Sequence, residues 1–481
     1  MKNQAFNPFL PSWEYVPDGE PRVFGDRIYL YGSHDQFNGK DFCLNDYVCW
    51  SAPLDDLSDW RYEGVIYRKD QDPRNRDGKM HMCAPDCVQG VDGRYYLYYQ
   101  LHVLQCTSVA VSESPTGPFR FYGYVQHPDG TPWGEKKGDT FAFDPGALVD
   151  EDGKAYLYVG FSTEGLLQKV FELRGNLADG SVCLALAPDM RTVVGREYPI
   201  VPGAIKAKGT EYEGHGFFEA SSMRKIDGKY YYIYSSQLSH ELCYAVSDFP
   251  TGGFTYGGTL VSIADIGYQG NDKPLNYTGN THGSIIEVNG QWYVFYHRQT
   301  NRVKCSRQAC AEKITILPDG SIPQVEVTSC GLNDGPLAGK GKYEARIACQ
   351  LNGKNGIVKS DFAKKEDKKG LLPYFTQTGE DREDNPDQYI ANLRDGAWCG
   401  FKYFAFDGTE STITLTVRGY ASGIIKVYTD REKEPVAKVQ IYQSMGWKDY
   451  ETLIHVEAGV APLYFVYQGQ EGMDFKAFEI Q

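Results

Sequence analysis

The most constraining feature of this chain is a short pattern that recurs five times in its first 300 residues. Each copy has a turn containing glycine, then an aromatic-rich stretch of alternating apolar residues, and successive copies lie 60 to 75 residues apart. Asp-Gly and Asn-Gly before such stretches are strong signals of β-hairpins. The copies are FGDRIYLYG (24–32), DGRYYLYYQ (92–100), DGKAYLYVG (152–160), DGKYYYIYS (227–235) and NGQWYVFYH (289–297).

The repeats predict an all-β fold, namely a five-bladed β-propeller. Two similar segments, VSESPTGPF (111–119) and VSDFPTGGF (246–254), follow two of the hairpins at the same short distance, so each unit holds several strands. Five such units can close into a ring that leaves few strand edges exposed. The aromatic content of 14% and the 52 glycines suit many short strands joined by tight turns. The alternative that the repeats leave open is an array of β-sandwiches.

An ionisable residue precedes the turn glycine of every repeat by seven to nine residues. In a propeller these positions fall on the innermost strand of each blade, so their side chains should converge on the central axis. A cluster of like charges there is costly to the structure but useful for acid–base chemistry. For any one aspartate the alternative is an ordinary role in a turn. The five residues are Asp18, Asp86, Asp144, Glu219 and His282.

Three of these carboxylates stand in sequence environments that predict different protonation states. Glu219 follows two phenylalanines, and apolar neighbours raise a carboxyl pKa and keep its proton available. Asp18 lies in the more polar segment VPDGEP, which suits an ionised base. Asp144 would add a third negative charge that raises the pKa of the acid and orients it. Glycoside hydrolysis typically needs one protonated and one ionised carboxyl group, so the set favours that chemistry.

The five motifs together resemble those of glycoside hydrolase family 43 over roughly residues 7–325. The resemblance implies a five-bladed propeller and an inverting, single-displacement mechanism, in a family that includes β-xylosidases, α-L-arabinofuranosidases and arabinanases. It also implies that Asp18 is the general base, Asp144 the carboxylate that tunes the acid, and Glu219 the general acid. The motifs are DGEPRVFGDRIYLYGSHD, APDCVQGVDGRYYLYY, DPGALVDEDGKAYLYVG, FFEASSMRKIDGKYYYIYSS and HGSIIEVNGQWYVFYHR.

The same resemblance suggests residues that bind substrate and metal. His282 matches an axial histidine that often ligates a calcium ion or an ordered water, although Ca²⁺ generally prefers oxygen ligands. Two residues depart from the family pattern, Gly19 after the base and Cys83 before the second motif's Ala-Pro-Asp. Neither departure removes a titrating group, and the second puts the identity of the sugar in doubt more than the mechanism. The predicted substrate-binding residues are His34, Asp35, Asp86, Phe217 and Arg298, each with a purely structural role as the alternative.

The last third of the chain predicts a second domain. The repeat ends near residue 325, and a Gly- and Lys-rich segment then leads into strands spaced by turns, which is typical of a β-sandwich. We therefore expect a catalytic propeller at 1–338 and a sandwich at 339–481. The second part resembles jelly-roll carbohydrate-binding modules of family 6 type, which implies a sugar site, with Tyr389 and Trp398 as candidate aromatics, and a structural calcium ion. A purely structural partner of the propeller is the alternative.

Net charge, hydropathy and cysteine spacing argue against several classes of function. A net charge of −14 argues against nucleic-acid binding, and no window is apolar enough to span a membrane. The twelve cysteines form no Cys-x-x-Cys pair, so we expect reduced thiols, no zinc site and, since no signal peptide is recognisable, a cytoplasmic protein. The sequence thus predicts a glycosidase that releases terminal α-L-arabinofuranosyl or β-D-xylosyl residues from small oligosaccharides, without an organic cofactor. A non-catalytic, lectin-like propeller is the alternative, and a homo-oligomer stays open.

Overall fold

The computed structural model describes residues 4–481 except 103, 164–167, 171–176, 178, 361–366, 368–369 and 384–386. Five antiparallel sheets follow one another along the first two thirds of the chain, each built from consecutive strands. They are β1–β4 (Glu20–Phe24, Arg27–Tyr31, Tyr47–Pro53, Arg61–Tyr67), β5–β8 (Met82–Gln89, Tyr95–Leu101, Thr107–Ser112, Arg120–Tyr124), β9–β12 (Gly146–Val149, Ala155–Ser162, Asp179–Leu186, Tyr198–Pro202), β13–β16 (Phe217–Ile226, Lys229–Ser236, Glu241–Ser247, Thr255–Ser262) and β17–β19 (Ile285–Val288, Gln291–Thr300, Val303–Ile314).

The five sheets are the blades of a propeller, as the repeats predict. The first strands of neighbouring blades (β1, β5, β9 and β13) contact one another, and β1 also contacts β17, so they surround a common axis. Between blades four and five, the Ser222 and Ser284 hydroxyls lie 2.7 Å apart. The chain's N-terminal segment closes the ring on the last blade, where Asn7 accepts from the Ala311 backbone and donates to its carbonyl.

The repeated glycines lie in the turns that the sequence predicts. Gly25, Gly93, Gly153, Gly228 and Gly290 all have φ between 62° and 83°, a conformation that favours glycine in a tight hairpin. Among the tyrosines that follow them, Tyr31, Tyr98 and Tyr158 each donate a hydroxyl hydrogen bond to a carbonyl of the next blade. Tyrosine combines a large apolar surface with one polar atom, which explains why the repeats use it so often.

The last third of the chain forms two six-stranded sheets that enclose a separate apolar core. One sheet has the order β20-β25-β30-β27-β28 with β22 on β25, and the other β23-β24-β31-β26-β29 with β21 on β31. Their bounds are β20–β23 (Leu337–Ala338, Gly341–Glu344, Gln350–Asn352, Tyr374–Gln377), β24–β27 (Gln388–Leu393, Trp398–Phe406, Thr412–Gly419, Ser422–Tyr428) and β28–β31 (Ala437–Ile441, Ser444–Leu453, Gly459–Gln470, Met473–Ile480).

Helical structure is confined to short pieces among the described residues, and no described helix is long and apolar enough to cross a membrane. All twelve cysteines are free thiols. The helical pieces include an α-helical turn at Ala204–Ala207 and 3₁₀ turns at Lys69–Gln71, Tyr268–Gly270 and Ala345–Ile347.

The sandwich is docked on the propeller through buried polar contacts. Lys402 pairs with Glu326 at 2.6 Å, and Tyr15 donates to Gln377 Oε1 at 2.7 Å. Arg382 contacts both oxygens of the fully buried Glu14 carboxylate, at 2.6 and 2.9 Å. Because removing one partner of a buried ion pair is costly, these contacts fix how the two parts sit together.

Candidate active site

A pocket of about 320 Å³ opens at one end of the propeller axis. Its size is that of a small-molecule site, and it receives side chains from all five blades and one from the sandwich. The lining residues are Asp18, Phe42, Cys43, Cys83, Phe143, Asp144, Phe218, Glu219, Gln237, Ser239, Asn280, His282, Lys304, Arg307 and Lys359.

The backbone beside the carboxylates adopts conformations that ordinary residues avoid. Asp18 and Asp144 have φ of 56° and 46°, and Ala220, next to Glu219, has φ of 70°. Such conformations cost about 1–3 kcal/mol each and persist where the surroundings impose them. Around Glu219 the pairing of β13 with β14 also shifts register twice. This bulge lets Phe218 and Glu219, which would alternate across a regular strand, both line the pocket.

Asp18 is held as an ionised carboxylate by a buried arginine. Arg307 Nη1 lies 2.8 Å from Asp18 Oδ1, and both residues are at least 95% buried. Burial would raise the pKa of Asp18, but the positive charges of Arg307, above all, and of His282 hold it below its ordinary value. The Asp18 backbone N–H also donates to His297 Nδ1, and burial lowers the pKa of that histidine to about 3. His297 is therefore a neutral acceptor.

Asp144 and His282 form a second buried pair. His282 Nδ1 lies 3.5 Å from Asp144 Oδ2, which also accepts the Ala220 backbone N–H at 3.1 Å. Burial raises the pKa of Asp144, and the contact with His282 opposes that rise. For His282 burial acts in the lowering direction, but Asp144, Asp18 and Glu20 raise its pKa to about 9.

Glu219 is a pocket carboxyl group whose pKa is raised. Its desolvated surroundings and the negative charges of Asp144 and Asp18 raise its pKa to about 8, against the opposing effects of His282 and Arg307. Near neutral pH the pocket therefore contains a protonated glutamic acid and an ionised aspartate. Such opposite shifts mark an acid and a base in one site.

Two predicted sugar-binding residues on blade one lie behind the pocket wall. Asp35 is fully buried and receives Arg307 Nε at 2.8 Å and Nη2 at 3.0 Å, so it holds the arginine that contacts Asp18. His34 lies between the Asp46 carbonyl and Glu14 Oε1, at 2.6 and 3.0 Å. Neither residue lines the pocket, because these buried partners occupy their polar atoms.

The other three predicted binding residues also lie outside the pocket lining. Asp86 forms a two-fold contact with Arg22, at 2.9 and 2.5 Å, and accepts the Ala147 backbone N–H, so it joins three blades. Arg298 donates to the carbonyls of Arg346 and Ala348 in the sandwich. Phe217 is fully buried in the core between blades three and four, and its neighbour Phe218 faces the pocket instead.

Several pocket residues carry no sequence signal that could have identified them. Arg307 contacts Asp18 and Asp35 across more than 270 residues of chain, on a strand with no recognisable motif. Phe42 lies beneath its guanidinium, 4.7 Å from ring centre to Cζ. Lys359 comes from the segment beyond the predicted domain boundary. Only the tertiary fold brings these groups to the carboxylates.

Deeper on the axis, two buried polar atoms have no hydrogen-bond partner among the described residues. They are Glu20 Oε1 and His282 Nε2, and they lie 3.9 Å apart. The other Glu20 oxygen accepts from Arg224 at 2.9 Å. A carboxylate oxygen and a ring nitrogen that face one another in this way can hold a hydrated divalent cation, and His282 contacts a carboxylate through its other nitrogen, as metal-bound histidines usually do.

A third polar cluster lies just outside the pocket in blade four. His215 Nδ1, Glu241 Oε1 and Cys243 Sγ lie within 4.8 Å of one another. Glu241 also accepts from Ser236 at 2.6 Å and from Thr259 at 3.1 Å. The group is thus a satisfied hydrogen-bond network that supports the strands next to Glu219.

Comparisons with known proteins identify the family. The model of the family "Glycosyl hydrolases family 43" matches residues 7–322. A xylosidase/arabinosidase from Thermoclostridium stercorarium is 50% identical over 100% of this chain and 99% of its own length. The chain therefore belongs to glycoside hydrolase family 43 and is an enzyme of that class.

Two solved structures share the fold. An arabinoxylan arabinofuranohydrolase from Bacillus subtilis matches 98% of this chain and 96% of its own, with a TM-score of 0.50 and 20% identity. A β-xylosidase/α-arabinofuranosidase from a compost microbial metagenome, in complex with xylotriose and in a calcium-free form, matches 65% of this chain and 94% of its own. Its TM-score is 0.50, and it is 26% identical. The first match spans both the propeller and the sandwich.

Proposed function

We propose that the protein is an inverting glycosidase that releases terminal α-L-arabinofuranosyl or β-D-xylosyl residues from arabinoxylan-derived oligosaccharides. The observation that carries this proposal is the pair of opposite pKa shifts in one pocket, lowered for Asp18 and raised to about 8 for Glu219. The relatives support the sugar class, since they include a xylosidase/arabinosidase and an enzyme seen with xylotriose.

In the proposed reaction Glu219 acts as the general acid and Asp18 as the general base. Glu219 donates its proton to the glycosidic oxygen as the bond from that oxygen to the anomeric carbon breaks. Asp18 takes a proton from a water whose oxygen bonds to the same carbon from the opposite face, so the configuration inverts. Proton exchange with solvent then restores both groups.

Asp144 and Arg307 position and tune these two groups. The Asp144 charge raises the pKa of Glu219 and so keeps the acid protonated. Arg307 keeps Asp18 ionised and fixes its carboxylate through the 2.8 Å contact. Phe42, Phe143 and Phe218 supply the apolar wall against which a sugar ring packs.

Glu20 and His282 are the residues that would hold a calcium ion. Glu20 Oε1 and His282 Nε2 have no hydrogen-bond partner among the described residues and fit a hydrated cation, which His282 would bind in its neutral form. When bound, the ion would supply positive charge below Asp144 and favour its ionised form. In the described part of residues 339–481, no three Asp, Glu, His or Cys ligand atoms converge.

We further propose a division into a catalytic domain, residues 1–338, and a supporting domain, residues 339–481. The supporting role agrees with the sandwich contacts of Arg298 and Arg382. The two aromatics considered for a second sugar site, Tyr389 and Trp398, are each only 8% exposed. Arg418 and Arg431 lie over their rings, which leaves no open aromatic face there for a sugar.

Hydrolysis of nitrophenyl α-L-arabinofuranoside and nitrophenyl β-D-xyloside tests the function. We expect activity on at least one substrate, and loss of most of it in Glu219→Gln on an oligosaccharide, where the leaving group needs the proton. A general acid contributes roughly 10²–10⁴-fold, and less for nitrophenol because it leaves readily. Proton NMR of the first-formed sugar should show the inverted anomer.

The matched control is Glu213→Gln, an exposed glutamate six residues upstream on the same segment. It should behave as wild type. A retained anomer would contradict the mechanism, and sugar binding without turnover in the wild type would indicate the lectin-like alternative.

A further inference from the structure

One side chain of the pocket comes from the sandwich rather than from the propeller. Lys359 lines the pocket, and its Nζ donates to Ser239 Oγ at 3.1 Å. It is half-buried, although lysine is usually an exposed residue. A lysine so placed contributes a positive charge to the pocket wall.

The segment that carries Lys359 is anchored on both sides of it. Lys359 forms a parallel bridge with Thr278, and the Ser360 backbone N–H donates to the Thr278 carbonyl at 2.7 Å. Before it, Ile357 packs on Tyr277 of the propeller, and both are at most 9% exposed. The lysine is therefore held at the pocket by backbone and apolar contacts, independently of its own charge.

The Lys359 ammonium group contacts blade four, the blade that carries Glu219. Its partner Ser239 follows β14, the strand that pairs with the Glu219 strand, with Glu219 opposite Ser235. Asp18 belongs instead to the wall made by blades one and five, with Arg307 and Phe42. In an inverting reaction the base and its water lie on one face of the sugar, and the acid and the leaving group lie on the other.

We propose that Lys359 binds the first sugar of the leaving group and so sets the preference for oligosaccharide substrates. The inference rests on the proposed function of the same pocket. The ammonium group has three donors, and Ser239 takes one, which leaves two for hydroxyl oxygens of a sugar that departs toward Glu219. The sandwich then supplies part of the leaving-group site.

The kinetic test compares Lys359→Met with wild type on two substrates that share a terminal sugar. One is xylobiose, or arabinofuranosyl-xylobiose if arabinose is preferred, and the other is the matching nitrophenyl glycoside, whose leaving group lacks sugar hydroxyls. We expect kcat/KM for the oligosaccharide to fall roughly tenfold, the effect of losing a charged hydrogen bond. The fall for the nitrophenyl glycoside should be several times smaller.

Lys354→Ala is the control, because this exposed lysine of the same segment pairs with Asp395 away from the pocket. It should leave both rates unchanged. If kcat/KM of Lys359→Met falls equally for the two substrates, Lys359 acts through Glu219. If kcat/KM falls for neither substrate, Lys359 does not contact the bound sugars. Either result overturns the proposal.

A binding measurement separates this inference from the proposed function. Calorimetry with xylobiose and arabinofuranosyl-xylobiose compares Glu219→Gln with the double variant that also carries Lys359→Met. We expect the dissociation constant to rise roughly tenfold in the double variant. An unchanged constant, or no binding of either sugar to Glu219→Gln, contradicts the role of Lys359. If the wild-type protein binds these sugars without hydrolysing them, and Lys359→Met still weakens binding, only the proposed glycosidase function is refuted.

Discussion

At the scale of single residues, the site depends on giving two similar carboxyl groups opposite surroundings. Arg307 holds the pKa of Asp18 down, whereas burial, Asp144 and Asp18 raise that of Glu219 to about 8. The base is ionised, and the acid protonated, in the pH range between these two pKa values. Activity should therefore decline as the pH rises through about 8, because Glu219 then loses the proton that it must donate.

Asp144→Asn should move this basic limit to lower pH. The substitution removes the negative charge that, after burial, contributes most to the raised pKa of Glu219, while the amide oxygen can still accept the Ala220 N–H. A shift of roughly one pH unit is the size expected from one nearby like charge. The measurement is the pH profile of kcat/KM on the preferred nitrophenyl glycoside.

Asp152→Asn serves as the control for that profile, since Asp152 is an exposed turn residue of the same blade. Its basic limit should match that of wild type. If Asp144→Asn is active and its pH profile has the same basic limit as wild type, then Asp144 does not raise the pKa of Glu219.

The sequence predicted the central ionisable residues better than their surroundings. Of the five residues that share an offset from the repeated glycines, Asp18, Asp144, Glu219 and His282 line one pocket, whereas Asp86 does not. The residues that contact them share no such offset. Arg307, for example, contacts Asp18 from a strand 289 residues further along the chain. Asp35 was predicted to contact sugar, but its role as the buried partner of Arg307 depends on a contact that no local pattern reveals.

At the scale of elements, a glycine allows the backbones of two neighbouring inner strands to approach closely. Gly146 begins β9, two residues after Asp144, and a Cβ added there would lie 2.2 Å from the Ser221 carbonyl oxygen of β13. Ser221 itself follows Glu219 by two residues. The absence of a side chain at Gly146 therefore lets the strands that carry Asp144 and Glu219 approach.

Gly146→Ala should lower both stability and activity. Overpacking of a buried site typically costs about 1–3 kcal/mol, and any shift of β9 against β13 also displaces the two carboxyl groups. Thermal unfolding should show a lower apparent Tm, and kcat/KM should fall. Gly446→Ala in the sandwich is the matched control, because its Cβ would meet nothing within 4 Å. Equal Tm values for the two variants would contradict the argument.

The hairpin turns of the fold were easier to predict from the sequence than the irregular pairing within a strand. Hairpin turns follow from Asp-Gly and Asn-Gly pairs, and all five turn glycines have positive φ. The bulge at Glu219 has no such signal. Regular alternation would place Phe217 and Glu219 on the same face, whereas the register shifts place Phe218 beside Glu219 in the pocket.

At the scale of the whole molecule, the axis is where side chains from blades far apart in sequence meet. Glu20 of blade one contacts Arg224 of blade four through one carboxylate oxygen, and its other oxygen faces His282 near blade five. A cation bound between Glu20 and His282 would join blades far apart in sequence. It would stabilise the ring only in the folded state, since the unfolded chain does not bring these residues together.

Removal of divalent ions should therefore lower the apparent Tm, and added calcium should restore it in a concentration-dependent manner. A ligand at 100 times its dissociation constant stabilises a protein by about 2.7 kcal/mol, which is readily measured. The experiment treats the protein with a chelator, dialyses it, and then titrates calcium while recording both Tm and heat of binding. In His282→Gln, which lacks the ring nitrogen, the calcium-dependent rise should disappear. If calcium neither binds to the chelated wild type nor changes its Tm, the calcium proposal is wrong.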